Sequence, residues 1–360
     1  MFATDRFRLR QSVGIVHQNN VVEFFCANTR QLIRIKTAFP DIVALLQLFD
    51  GENSIDDVVK SRNDVNKDQL MQLVGFLNAN NILIRQDASY PGRTFADSYR
   101  LINLLEDYFS STRDVICALE KLKRSNVMIV GLGAVGSLIA TYLARSGVEN
   151  FVFVDDDSVD SSNLHRQCYF ENQVGIKKAD ALAANLKDIN PNIKILPIRK
   201  NLTEDFFIQE TLPGLSLIVN CADEPSVDVT SRIVARYAMQ HEIPHIVGGG
   251  YNLHLTLIGQ SIIPFETACL ECFNSALKNL NNAELKGVRR LHRENRKLGS
   301  FSPLSGMASA LASLDAFKIL IGRNDLLQQC NKRIEFSFRD ERFNVIDIPR
   351  NPECEWCAIR

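Results

Sequence analysis

The chain predicts an α/β protein: a doubly wound, Rossmann-like domain preceded by a small α+β domain. Three observations carry this. Gly131, Gly133 and Gly136 form G-x-G-x-x-G directly after the apolar run Val127–Val130. A second apolar run, Phe151–Val154, ends in Asp155, Asp156 and Asp157. The first ninety or so residues instead read as short strands followed by helical spacing.

Each element of the nucleotide half has a local reason. Short apolar runs bounded by turn residues suit buried parallel strands. From Ser137 the positions Leu138, Ile139, Tyr142 and Leu143 follow helical spacing. The glycines permit a tight turn and a close approach of backbone N–H groups to a phosphate at the helix N-terminus. An acid about 20 residues beyond the glycines is where a ribose diol is held, so Asp155 and Asp157 are candidate nucleotide ligands. This pattern alone does not separate NAD, FAD, S-adenosylmethionine and ATP.

The next segment narrows the choice. Ser162-Asn163-Leu164-His165-Arg166-Gln167 is followed by Val174-Gly175-Ile176-Lys177-Lys178 and an amphipathic stretch, Ala179–Ile189. Hydride transfer leaves the pyrophosphate intact and needs no cationic cluster there. Splitting ATP requires charge on phosphoryl oxygens to be neutralised by Arg, Lys or a metal ion. Arg166 and Lys178 therefore read as phosphate clamps, with Asn163 and Gln167 as neutral hydrogen-bonding partners. Taken singly, either cation reads as a surface group.

GLGAVG, VDDDSVDSSNLHRQ and VGIKK together resemble the E1-like adenylating enzymes, the group that includes the ThiF and MoeB proteins. Downstream, Leu217–Asn220 reads as a buried strand, and Cys221-Ala222-Asp223-Glu224 stands where the family has Cys-Thr-Asp-Asn. The resemblance makes Asp223 a Mg²⁺ ligand; Glu224 departs from the usual Asn. Phe301-Ser302-Pro303-Leu304-Ser305-Gly306 is similar to the family's Ala-Pro-x-x-Gly segment. The resemblance spans roughly residues 100 to 360 and implies ATP-dependent adenylation of a carboxylate with release of pyrophosphate. It also implies a homodimer, with Arg100 similar to an Arg that family dimers insert into a partner's site.

The chain has nine cysteines, of which four form Cys269-x-x-Cys272 and Cys354-x-x-Cys357. Two such pairs suit one tetrahedral Zn²⁺ held by thiolates, a closed and therefore structural site. Cys26, Cys117, Cys168, Cys221 and Cys330 read as small apolar packing residues. A nucleophilic role for Cys168 has no support from a lowered pKa.

Composition fits a cytoplasmic soluble enzyme. A net charge of −1 gives no global reason to expect nucleic acid or an anionic membrane as partner. No uninterrupted run of 18 apolar residues suggests a bilayer span, and the first residues lack the apolar core of a signal peptide.

Residues 1–92 read as one domain and 93–360 as another, with Pro91-Gly92 as the linker. Strands are expected at Phe7–Arg10, Val13–Val16, Val21–Phe25 and Leu32–Ile35. A helix follows over Ile42–Phe49, then a turn at Asp50–Asn53, a helix at Ile55–Lys60 capped by Ser54 or Asp56, and a third over Lys67–Asn80. A small sheet followed by three helices is a winged-helix arrangement. LFDGENSIDDVV and LVGFLNANNILI resemble the PqqD-like domains that bind leader peptides of ribosomally made precursors. Such a domain implies strand addition at a sheet edge, expected near Gln31–Lys36 beside a groove along Lys67–Leu77. Over residues 41–80 acids outnumber Lys60, Arg62 and Lys67, which disfavours DNA.

Between Phe273 and Ser300 stand Lys278, Lys286, Arg289, Arg290, His292, Arg293, Arg296 and Lys297, read either as a substrate-contacting crossover or as a solvated loop. His245 and His254, flanking Gly248-Gly249-Gly250, read as hydrogen-bonded structural histidines. The expected activity is adenylation of a precursor-peptide carboxylate, followed by displacement of AMP within the peptide, with two adjacent glutamates as the expected cyclising pair. Nucleotide attachment to a peptide and adenylation of a sulfur-carrier protein share this chemistry. An NAD-dependent oxidoreductase and a non-catalytic leader-presenting scaffold are the readings from other classes.

Overall fold

The computed structural model describes residues 2–358 apart from 38, 40, 213, 248, 253–254 and 281–298, and only the backbone of 93–96, 251–252 and 278–280. The chain forms two compact units, Met1–Glu120 and Lys121–Arg360. Pro91-Gly92 opens a helix rather than an extended linker. Gly248, His254 and the basic residues from Lys286 to Lys297 lie outside the described residues, as does the side chain of Lys278.

The first unit contains β1 (Arg6–Leu9), β2 (Val13–Gln18), β3 (Val21–Cys26), β4 (Gln31–Lys36), α1 (Ile42–Gln47), β5 (Asp50–Ser54), α2 (Ile55–Ser61), α3 (Lys67–Ala79), β6 (Leu83–Arg85), α4 (Gly92–Glu106) and α5 (Thr112–Arg124), the last crossing the division between units. Two small sheets form, ordered β5-β1-β6 and β2-β3-β4. The Asp50–Asn53 turn is thus corrected to a strand, antiparallel to β1. Both signals are real: Asp50 Oδ1 accepts from the N–H groups of Glu52 and Asn53, and Gly51 has φ +92°, yet the backbone still pairs across an irregular register. Ser54 caps α2 in a capping box with Asp57, as hydroxyl and carboxylate spaced three apart allow. Leu70, Val74 and Leu77 of α3 join Phe24 and Leu46 in the core. β4 hydrogen-bonds only to β3, leaving one edge without a strand among the described residues. Arg62 bridges Asp41 and Asp64, and Lys67 pairs with Asp56, so neither presents an unopposed positive charge.

The second unit contains β7 (Asn126–Val130), α6 (Ala134–Arg145), β8 (Asn150–Val154), α7 (Lys178–Ile189), β9 (Lys194–Ile198), α8 (Phe206–Gln209), β10 (Leu217–Asn220), α9 (Val227–Gln240), β11 (His245–Val247), β12 (Gly250–Asn252), β13 (Leu255–Leu257), β14 (Gln260–Ile262), α10 (Leu270–Leu280), α11 (Ser302–Ile321), β15 (Lys332–Ser337) and β16 (Arg342–Asp347). The main sheet is ordered β14-β11-β10-β7-β8-β9, parallel except for β14. Its order reverses between β7 and β10, which opens a crevice at the carboxyl ends of those strands. A second sheet, β12-β13-β15-β16, is antiparallel.

α11 meets the length and composition of a bilayer span, with a mean hydropathy of 1.4 over its best window, 61% of which is buried. Its apolar run is interrupted by Ser, Gly, Asp315 and Lys318, which leave the average apolar. It packs chiefly on α6, where Ser309 Oγ donates to the Val135 carbonyl. Asp315, buried within it, accepts from Lys318 and from the N–H groups of Gln328 and Gln329.

Candidate active site at the sheet crevice

The crevice holds a cavity of about 870 Å³, whose walls include Gly131, Gly133, Asp155–Asp157, Asn163, Arg166, Gln167, Lys178 and Asp223. Every nucleotide-site residue singled out in the sequence lines it except Gly136, which shapes the loop from behind.

The loop is forced by sterics. Gly131 has φ +82°, and a Cβ there would lie 2.6 Å from the Ala222 nitrogen; at Gly136 a Cβ would lie 1.9 Å from the Gly131 carbonyl oxygen. Gly133 stands at the N-cap of α6 with no side-chain cap, so the first N–H groups of a twelve-residue helix point toward the cavity uncapped. Tyr169, a residue that no motif flagged, donates its hydroxyl to the Leu132 carbonyl and pins the loop.

Asp155 braces this loop. Its Oδ2 accepts from Leu132 N–H at 2.6 Å and its Oδ1 from Asp157 N–H at 2.8 Å. Burial pushes its carboxyl above the usual range, against the opposing pull of Lys178 and the two N–H bonds. Asp157 is exposed, and Lys178 donates to its Oδ2 at 2.6 Å although Lys178 itself is buried. The two meet across 21 residues because the chain doubles back: Val159 N–H bonds to the Ile176 carbonyl, Lys178 N–H to the Asp157 carbonyl, and Gly175 turns with φ +88°.

Arg166 donates to Asn163 Oδ1 at 2.8 Å and to the Ser162 carbonyl at 3.2 Å, leaving its guanidinium on the cavity rim. Gln167 reaches over Gly133, and its Oε1 is buried without a partner among the described residues. Asp223 follows β10 in a loop fixed by Asn220 Oδ1, which accepts from Ala222 N–H, and by Thr230 Oγ1, which donates to the Ala222 carbonyl. Cys221 also lines the cavity, but burial pushes its thiol up to about 12. Burial likewise raises the Cys168 thiol, which leaves no activated nucleophile there. Cys117 is exposed, a correction to its reading as a packing residue. His245 is buried with Nδ1 at 3.0 Å from the Ile243 carbonyl. Arg100 is exposed and bonds the Tyr99 hydroxyl at 3.0 Å.

Cys269, Cys272, Cys354 and Cys357 are buried with their sulfurs all within 4.8 Å of one another. The Cys269–Cys354 and Cys272–Cys357 separations are 3.4 and 3.5 Å, and Cys269–Cys272 is 3.8 Å. Four thiolates around a tetrahedral ion at about 2.3 Å stand roughly 3.8 Å apart, so the set fits one metal. The cluster anchors α10, whose Leu270, Phe273 and Leu277 form part of the cavity's far wall. Gln260, Arg333 and Glu335 also line that wall, and no motif marks them.

A doubly wound fold with a glycine loop and converging cations, beside a four-cysteine cluster able to hold a metal, defines a nucleotide-using enzyme. The ThiF family model matches residues 108–356, and the chain belongs to that family. Molybdopterin-synthase adenylyltransferase of Haemophilus influenzae is 27% identical over 242 residues, covering 65% of this chain and 89% of that protein. The Escherichia coli protein of the same name is 28% identical, covering 66% and 89%. These relatives are adenylyltransferases, and the family is one of ATP-using adenylating enzymes. Among solved structures, E. coli MccB with MccA-N7isoASN has a TM-score of 0.78 at 22% identity, covering 99% of this chain and all of that one. The likeness is one of fold.

Proposed function

We propose that this enzyme adenylates a carboxylate of a ribosomally made precursor peptide. The carboxylate attacks the α-phosphate of ATP, the bond to pyrophosphate breaks, and an acyl-adenylate forms. The observation that carries this reading is the closure that returns Lys178 to Asp157 beside the uncapped N-terminus of α6. It gathers a buried cation, a rim guanidinium and free N–H groups where negative charge would build.

In this reading the N–H groups of the Gly131–Gly136 loop and Gln167 hold the nucleotide, and Arg166 and Lys178 neutralise the phosphates. Asp157, with its accessible carboxylate, holds the ribose diol in concert with Asp155, which also keeps the loop in shape. Asp223 would hold Mg²⁺, which supplies charge for pyrophosphate departure, and Asn163 orients Arg166. The cysteine cluster would hold Zn²⁺ as a structural ion. The acyl-adenylate is then resolved inside the peptide, best as a pantocin-type bicycle from two adjacent glutamates, and the basic residues between Lys278 and Lys297 suit an acidic substrate. Residues 1–92 serve as the PqqD-like leader-binding domain, with β4 as the edge for strand addition. The enzyme works as a homodimer in which Arg100 reaches the partner, and acts in the cytoplasm without nucleic acid or membrane.

Two facts support a peptide substrate. The family model leaves residues 1–107 unmatched, so the chain adds a unit to the adenylating fold. The fold over 99% of the chain is that of E. coli MccB, solved with ATP in one structure and with N-formylated MccA in another. A second reading, adenylation of a sulfur-carrier protein, is favoured by the names of the molybdopterin-synthase relatives. ATP–pyrophosphate exchange separates the two. Acidic peptides should support exchange, and Arg166→Ala or Lys178→Met should lower it on the order of 10²-fold or more. Exchange seen only with a small protein ending in Gly-Gly would select the second reading; undiminished exchange in both variants would remove the assigned roles.

A further inference from the structure

The far wall of the cavity carries its own chemistry. Gln260 is the first residue of β14 and pairs with Val247 at the end of β11. Because β14 runs antiparallel, that position lies level with the carboxyl ends of the parallel strands, where the cavity opens. Gln260 is only 4% exposed and lines the cavity, and its side-chain amide has no hydrogen-bond partner among the described residues. The amide faces the cavity, where water or a ligand can meet it.

Two other residues lining the same cavity are polar in a complementary way. Ile258 N–H bonds to the Ile334 carbonyl at 2.9 Å, and Leu257 pairs with Glu335, which sets β15 against the end of β13. Arg333 and Glu335, two apart and so on one face, both line the cavity. Arg333 donates Nε and Nη2 to the single oxygen Glu335 Oε1 at 3.0 and 2.7 Å. Its Nη1 and Glu335 Oε2 have no partner among the described residues. This wall therefore offers donors and acceptors with no net charge. A free anion would meet the Glu335 carboxylate, and a hydrocarbon chain would leave Gln260 unpaired. A group presenting one N–H and one C=O satisfies both.

We propose that Gln260, with the Arg333–Glu335 pair, is a receptor for the peptide bond next to the carboxylate being adenylated. The receptor rests on the adenylation reading and specifies its substrate: a peptidyl acid rather than a simple fatty or aromatic acid. Gln260 and Glu335 act as specificity-determining residues; the nucleotide is held by the opposite wall.

Three sulfamoyladenosines of matched length, spaced as in a glutamate side chain, test this on the full chain: 4-acetamidobutanoyl, 6-oxoheptanoyl, which lacks only the amide N–H, and heptanoyl, which lacks the carbonyl too. Titration calorimetry should rank them in that order, with the first about tenfold tighter than the last. Gln260→Leu and Glu335→Gln should each shrink that ratio to about threefold or less, while affinity for a non-hydrolysable ATP analogue holds. Glu335→Gln, at a half-exposed strand position, carries the test if Gln260→Leu does not fold. Equal affinities in the wild type, or a ratio surviving in every folded variant, would overturn the receptor. Failure of the wild type to bind the ATP analogue would instead overturn the adenylation reading and the receptor with it.

Discussion

The two walls of the cavity are made in different ways. The nucleotide wall is framed by local backbone (a glycine loop, an uncapped helix start and a doubled-back segment), with its polar side chains all within residues 131–178 as well. The far wall is mainly side chain, gathered from β13, β14, α10 and β15 and anchored by cysteines 85 residues apart. Backbone surfaces of the first kind suit a ligand that never changes. Side-chain surfaces of the second kind can be altered one residue at a time.

Substitutions at the two walls should therefore fail differently. Gly136→Ala should be the most damaging, on the order of 4 to 5 kcal/mol or loss of the folded second unit, because its Cβ meets a carbonyl that cannot retreat. Chemical unfolding followed by far-UV circular dichroism measures it; a loss under about 1 kcal/mol would mean that the loop is not rigid.

Cys354→Ser should act on the far wall. It should abolish stoichiometric zinc by elemental analysis and lower the melting temperature by about 10 °C, equivalent to roughly 3 kcal/mol. Affinity for the ATP analogue at 25 °C should change much less than affinity for 4-acetamidobutanoyl sulfamoyladenosine. Equal losses for both ligands would erase the distinction between the walls.

The most gradual effect is set by pH. Burial lowers the His245 pKa from an ordinary 6.5 to about 4, partly opposed by its bond to the Ile243 carbonyl. Between those values the unfolded chain takes up a proton that the folded chain refuses. The stabilisation is complete above pH 6.5 and should decline by roughly 3 kcal/mol as pH falls toward 4. Since β11 positions Gln260 through its pairing with β14, acid should disturb the far wall first. His245→Asn should flatten this part of the stability profile; an unchanged slope would show that the ring is not the group titrating.

The sequence made the nucleotide wall legible because a tight turn leaves its requirement in adjacent residues. Gly131-x-Gly133-x-x-Gly136, the acids after β8 and the cations before α7 are all local signals, and all converge. The four cysteines were legible because metal ligation imposes a spacing. Gln260, Arg333 and Glu335 were not, since a glutamine beginning a three-residue strand carries no pattern and gains meaning only from pairings with β11 and β15. The strand at Asp50–Ser54 was hidden for the opposite reason: local Asp and Gly chemistry spelled a turn, while pairing with β1 required knowledge of a partner 42 to 48 residues away. Asp155 was legible as an acid at the right place, but its bond to Leu132 N–H depends on the loop's folded shape.

One feature matters before the enzyme ever meets a substrate. α11 is apolar on nearly every side, and a nascent chain exposing it would offer a sticky segment to other chains or to a membrane surface. Its principal packing surface, α6, is synthesised some 160 residues earlier. Domains generally fold as units, and α6 and α11 lie within one unit, so the seat and the helix that needs it form together only after α11 has been made. The most aggregation-prone stretch thus stays exposed until the second unit closes, and slowing that closure should raise the insoluble fraction even where final stability is unchanged.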